Sequence, residues 1–381
     1  MKKLFILAVA ALVAGAACSK VETSPETQQE VTFQVAKYLP TKANVVYDTA
    51  IPFGTYAWFT ADDDANANDE SKGVDFMVNE TVGFVSPVWK TTVHTFYWPK
   101  TGTLDFISYS PFNGTNATAD SNPAVTKTKL TYTDAVAGDV DFLYADKVTC
   151  TSKTANTQAG DITIEKNDDA DRTNYTGAQY AGVPTLFHHA LAKLSFQIKA
   201  NFLTWGSGAD KTDWKVTLID FKVGGLFTKG DLELNWDATN GVWTKPAGEI
   251  WANPEDKSAD QDLCTADLEL TTDYQALDAL TKAYVLPQEL SANNQQLSIR
   301  LKIETTLANG NPLIEYYEKT FDLKDISSLS SIKMNQNVVF KVNIKPTANV
   351  STPNSPEDVI INFDPAVADW DTVTSDITIE L

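Results

Sequence analysis

Arginine is almost missing from this chain. Arg172 and Arg300 are the only two in 381 residues, which leaves little with which to grip phosphate or carboxylate groups by paired hydrogen bonds. Histidine and cysteine number three each, too few for a rich metal or redox centre. Positive charge is outweighed: 50 Asp and Glu stand against 30 Lys and Arg, a formal net charge of −20. A field of that sign repels nucleic-acid backbones and anionic lipid headgroups. No apolar run reaches the roughly 20 residues that a membrane-spanning helix requires. The sequence holds no G-x-S-x-G, no phosphate-binding loop and no dinucleotide fingerprint. It therefore names no catalytic residue, no cofactor and no metal ligand, and a non-enzyme is expected. What is present is core material: 43% of residues are hydrophobic and 10% aromatic, ample for a folded body and against disorder.

The first residues read as an address. Met1-Lys2-Lys3 precedes an apolar run from Leu4 to Val13, then Gly15-Ala16-Ala17-Cys18, the layout of an export signal. The last four resemble a bacterial lipobox, although Gly15 stands where most have Leu. The resemblance implies that Cys18 is acylated and becomes the new N-terminus, so that the membrane is met only through a lipid anchor. Cys150 and Cys264 remain. An exported compartment permits a disulfide, but the two lie in what reads as separate domains, and two unpaired thiols are expected.

Beyond a polar tether, residues 19–30, the dominant signal is period-two alternation. Val31, Phe33 and Val35 alternate with polar or small residues, and Leu297–Ile303 has one apolar and one polar face. Further strands are expected at Phe53–Phe59, Leu104–Ser110, Lys193–Ala200, Lys215–Val223, Leu232–Trp236, Ala283–Leu286, Val338–Ile344, Val359–Phe363 and Ile377–Leu381. The interval Tyr274–Lys282 is the place for one or two helical turns. Many short strands without intervening helices predict an all-β chain built of sandwiches. A polar stretch from Thr149 to Gly182, followed by an apolar restart at Leu186, divides the body into residues 31–184 and 185–381.

Several phrases then occur in a telling order: Phe96-Tyr97-Trp98-Pro99, Leu104–Pro111, Asp141-Phe142-Leu143-Tyr144-Ala145, Phe187–Phe196, Tyr284-Val285-Leu286-Pro287-Gln288, and Ile361–Pro365 leading to Trp370. Together with the leader they resemble the fimbrillin superfamily of Bacteroidales, the subunits of type V pili. The resemblance implies two tandem transthyretin-like Greek-key β-sandwich domains and a precursor carried to the outer membrane as a lipoprotein. It also implies that a trypsin-like surface protease removes the first strand, and that subunits then polymerise with one another by strand donation, for adhesion.

The residues accommodate that scheme. Lys42 lies after the first strand beside Pro40, so cleavage is expected between Lys42 and Ala43, with Lys37, inside the alternation, the lesser candidate. The family more often has Arg there, so an Arg-specific protease would not cut this chain. Loss of Val31, Phe33, Val35 and Tyr38 from a core would cost roughly 5–10 kcal/mol, comparable to a domain's stability. A strand of matching alternation would restore it. The C-terminal segments offer such strands through Ile360, Phe363, Ile377, Ile379 and Leu381. The alternatives are a tip or anchor component of the pilus, or a monomeric surface lipoprotein that binds a glycan through exposed aromatics. A lipid-anchored hydrolase is a distant third. The acidic cluster Asp62–Glu70 fails as an EF-hand because Ala67 replaces the required Gly. His188 and His189 read as core or surface histidines, not a metal pair.

Overall fold

The computed structural model describes residues 30–35, 47–61, 73–99, 102–112, 123–151, 162–165, 182–185, 187–201, 203–208, 211–236, 238–239, 242–243, 250–307, 310, 312–327, 329–347, 358–363, 366–367 and 377–379. Strands are their dominant element, joined by turns and loops, and the one helix among them is the single turn Leu323–Ile326. The protein is all-β.

Alternation becomes burial most cleanly in Lys193–Ala200, where Leu194, Phe196, Ile198 and Ala200 are buried and Ser195 is exposed. This strand runs parallel to Asn337–Thr347 in a register that sets Leu194 beside Val338, Phe196 beside Phe340 and Ile198 beside Val342. The Phe196 and Phe340 rings stack at 5.2 Å. A second sheet supplies the opposing layer: Thr212–Gly224 pairs antiparallel with Gln296–Leu307, which pairs with Pro312–Asp322. Val216, Leu218, Phe221, Ile299, Leu301 and Ile303 close this core from the second layer. Two sheets burying alternate side chains between them make a sandwich.

The largest sheet among the described residues joins ten strands. Its main path runs Ile162–Glu165, Lys147–Thr151, Thr103–Ser110, Phe53–Thr60, Val74–Val85, Val88–Thr91, Thr32–Val35 and Val183–Thr185. Leu143–Ala145 and Phe187–His189 extend it from Thr103–Ser110. Thr32–Val35 and Thr103–Ser110 are four places apart in this order, about 19 Å if the sheet were flat. Yet the Phe33 ring lies 5.9 Å from Phe106, edge to face. The sheet therefore curls over on itself, and Val31, Phe33, Phe53, Met77, Trp89 and Phe106 fill its inside.

A third sheet crosses between the halves. Lys129–Val136 pairs with Phe227–Asn235, which pairs with Ala252–Lys257. Its core takes Tyr109, Tyr132 and Tyr144 from one side of residue 184 and Leu232, Trp236 and Trp251 from the other. The Trp251 indole N–H donates to the Ala190 carbonyl at 2.8 Å. The chain passes through all three cores in one short stretch. Val183 sits in the curled sheet's interior, Ala190 and Leu191 in the shared core, Ala192 and Leu194 in the sandwich.

Two expectations need correction. Tyr274–Lys282 holds no helix: Gln275 and Ala276 are extended and pair with Ile198 and Gln197. The edge of Lys193–Ala200 offers this segment ladder hydrogen bonds, continued by the Leu277 N–H donating to the Phe196 carbonyl at 3.0 Å, that a helical turn would forgo. Ala283–Leu286 is not a strand either. Val285 makes a single antiparallel bridge with Ala192, and Pro287, lacking an N–H, halts the ladder. The buried Gln288 side chain takes over, accepting from the Phe227 N–H at 2.9 Å and donating to the Leu286 carbonyl at 2.7 Å. The thiols of Cys150 and Cys264 are both free and buried. Burial pushes the Cys150 thiol far above its usual range and that of Cys264 up to about 11.

Candidate functional site

The opening strand, Thr32–Val35, has a neighbour on each side. Val88–Thr91 pairs antiparallel with it, placing Thr32 beside Lys90 and Phe33 beside Trp89. Val183–Thr185 pairs parallel on the other flank, with Phe33 beside Val183 and Val35 beside Thr185. The residues just before it are held as well. The Val31 N–H donates to the Phe96 carbonyl at 2.8 Å, Glu30 bridges to Tyr97, and the Glu30 carboxylate lies 3.3 Å from the Lys90 ammonium.

Its side chains reach the middle of the core. Val31 is wholly buried and Phe33 is 3% exposed; the Phe33 ring meets Phe53 edge to face at 5.7 Å as well as Phe106. Gly182 closes one wall so tightly that a Cβ there would stand 2.5 Å from the Thr32 carbonyl oxygen. Where the described chain resumes, it returns to the same place. Tyr47 stacks on Phe187 at 4.9 Å and meets Phe53 at 6.2 Å. Its hydroxyl shares a 2.6 Å hydrogen bond with Ser110, and burial pushes its pKa up to about 12. Phe53 thus touches residues on both sides of the segment that carries Lys37, Lys42 and Ala43.

Those three residues, Cys18 and Leu381 lie outside the described residues, as does the acidic cluster at 62–70. Val35 belongs to the opening strand. Ile360 and Phe363 lie in Asp358–Phe363, which pairs antiparallel with Asn337–Thr347. Ile377 and Ile379 bound the strand Ile377–Ile379, which pairs with Asp358–Phe363 and is the last in that sheet. Both C-terminal strands thus have partners within their own chain. The division at 184/185 falls inside Val183–Thr185, the parallel flank of the opening strand. That flank carried no signal of its own, being three residues beside a polar stretch; Gly182, where a backbone must come close, was the one hint.

The two histidines acquire partners that lie far off in sequence. Phe187–His189 pairs with Leu143–Ala145, which brings His188 Nε2 to 3.0 Å from Asp146 and His189 Nδ1 to 2.5 Å from Asp141. These are pairs, not clusters: among the described residues no three His, Cys, Asp or Glu side chains gather as a metal site would need. Likewise no helix among them is long and apolar enough to cross a membrane.

A family model described as fimbrillin-like matches residues 41–370, most of the chain. The protein belongs to the fimbrillin-like family. The span matched begins beyond the opening strand and stops short of Ile377–Ile379. No curated protein matches this fimbrillin-like chain in sequence. Among solved structures it is similar to a fimbrial protein from Bacteroides vulgatus, at 16% identity and a TM-score of 0.53, over 90% of this chain and 99% of that one. The C-terminally truncated tip fimbrial protein Mfa3 from Porphyromonas gingivalis also aligns. There the identity is 9% and the TM-score 0.29, over 84% of this chain and 94% of that one. The first likeness is one of fold, which agrees with the β-sheet architecture above.

Proposed function

We propose that this chain is a fimbrial subunit that reaches the cell surface as an outer-membrane lipoprotein anchored through Cys18. It has two sandwich domains, residues 31–184 and 185–381. A trypsin-like protease cuts it between Lys42 and Ala43, and other pilus subunits are its partners. The opening strand leaves with the cut segment, and a C-terminal strand of a neighbour, bearing Ile360 and Phe363 or Ile377, Ile379 and Leu381, takes its place. Head-to-tail filling of this kind does not close on itself and yields a filament.

One observation carries the reading: the opening strand is paired on both sides and brings Val31 and Phe33 into the core. Its departure leaves a slot with unmatched backbone groups on both walls and an apolar floor. Emptying the floor alone costs about 3–6 kcal/mol for two buried side chains, so the slot demands an occupant.

Limited trypsin treatment of the purified precursor, followed by N-terminal sequencing and electron microscopy, tests it. The expected outcome is a mature form beginning at Ala43 together with filaments. A precursor that keeps its opening strand in every fraction, or a cut form that stays monomeric and well folded, defeats the proposal.

A further inference from the structure

Pro312–Asp322 is the outermost strand of its sheet, and among the described residues nothing pairs with its outer side. Eleven residues long, it follows Gln296–Leu307 in continuous register without a bulge. Folded proteins usually blunt such an edge with bulges, prolines or several lysines. Here Pro312 stands only at the start and Lys319 is the one lysine. The strand also keeps apolar surface in water, with Leu313 43%, Ile314 49% and Tyr316 63% exposed.

Glu315 is out of place on it. It lies opposite buried Ile303, and its Oε2 is shut off from water without a hydrogen-bond partner. Burial pushes its pKa up. A desolvated carboxylate oxygen with no donor is costly. Lys319 of the same strand is four residues away, about 13 Å along an extended chain, and does not reach it.

A second copy of the strand supplies the missing donor. Laid antiparallel with Tyr317 opposite Tyr317, the sequence is complementary to itself. Glu315 faces Lys319, Leu313 faces Phe321, and Ile314 faces Thr320, each twice. Glu315, Tyr317 and Lys319 share one face, so the two charge pairs flank the axis on the side continuous with the core. We propose that Pro312–Asp322 pairs with the same strand of a second copy of this chain around a two-fold axis at Tyr317, with Glu315 of each copy bonded to Lys319 of the other. The contact is isologous and closed. It is independent of strand exchange at the opening strand and would join subunits side by side.

Sedimentation of the unprocessed full-length chain, in which no strand has been lost, tests this separately from polymerisation. The wild type is expected to dimerise. Glu315→Lys and Lys319→Glu each turn two attractive contacts into repulsive ones and should weaken the dimer about tenfold. The double variant should return to near wild-type affinity. A second measurement avoids dependence on those charges. In a Cys18→Ser background, Tyr317→Cys should cross-link into a covalent dimer on oxidation and Tyr316→Cys should not, because residue 317 meets itself across the axis whereas residue 316 faces residue 318; Cys150 and Cys264 are buried and do not compete. A wild type that is monomeric at every concentration, a double variant as weak as the singles with an unchanged melting temperature, or equal cross-linking at both positions overturns the proposal.

Discussion

Gly182 is where a single methyl group decides whether the opening strand fits. A Cβ would meet the Thr32 carbonyl at 2.5 Å, a backbone atom that cannot swing aside. Gly182→Ala is expected to lower the stability of the uncut chain by about 1–3 kcal/mol, as overpacking does, and to leave a form lacking residues 1–42 nearly unaffected. Thermal melts of the two forms read the difference. Tyr47 tests the same region through pH. Its pKa rises in the folded chain from the ordinary value near 10 to about 12. The neutral phenol is therefore the form that the fold favours. Its contribution is complete below pH 10 and is lost as the pH climbs towards 12. Tyr47→Phe gives up the hydrogen bond to Ser110, about 1 kcal/mol, at neutral pH. It should then lose less stability than the wild type between pH 10 and 12, measured by urea denaturation across that range. Little of this was legible in the sequence. Asp146 and Asp141 come to His188 and His189 only because two three-residue strands happen to pair, and no local pattern announces so short a pairing.

Strands were legible where one face is buried and the other wet. Lys193–Ala200 is the clearest case, its alternation in sequence reappearing as alternation in burial. Pro312–Asp322 has no legible period because most of it is exposed on both faces. Val74–Val85 has none either, because register shifts against Phe53–Thr60 and the left-handed backbone of Asn79 break its alternation. For the opening strand, deletion of residues 1–42 is expected to cost at least the 3–6 kcal/mol that Val31 and Phe33 bring. The deleted protein should bind a hydrophobic dye, and a peptide with the sequence of residues 358–363 should suppress that binding and raise the melting temperature. A deleted protein as stable as the whole would show the strand to be ornamental. The two walls of the slot run in opposite directions, one parallel and one antiparallel to Thr32–Val35. A replacement of either polarity thus meets one wall of each kind, and side-chain fit at the Val31 and Phe33 positions, not the ladder, chooses between them.

The sequence predicts two bodies and not the core they share, because that core depends on Lys129–Val136 meeting Phe227–Asn235 nearly a hundred residues later. Trp236 and Trp251 of the second half are each 1% exposed within that core, gathered with Tyr132 and Tyr144 of the first, so these aromatics are buried where the halves meet. Scanning calorimetry of the uncut chain is expected to show one transition whose calorimetric and van't Hoff enthalpies agree; two resolved peaks would mean that the shared core couples the halves weakly. The stretch from Val183 to Leu194 runs from the flank of the opening strand, through that shared core, into the sandwich whose sheet ends in the C-terminal strands. In a head-to-tail filament a pulling force would enter at the filled slot and leave at the donated tail. This covalent spine connects the two, so part of the load would be borne by continuous main chain and not by side-chain adhesion alone.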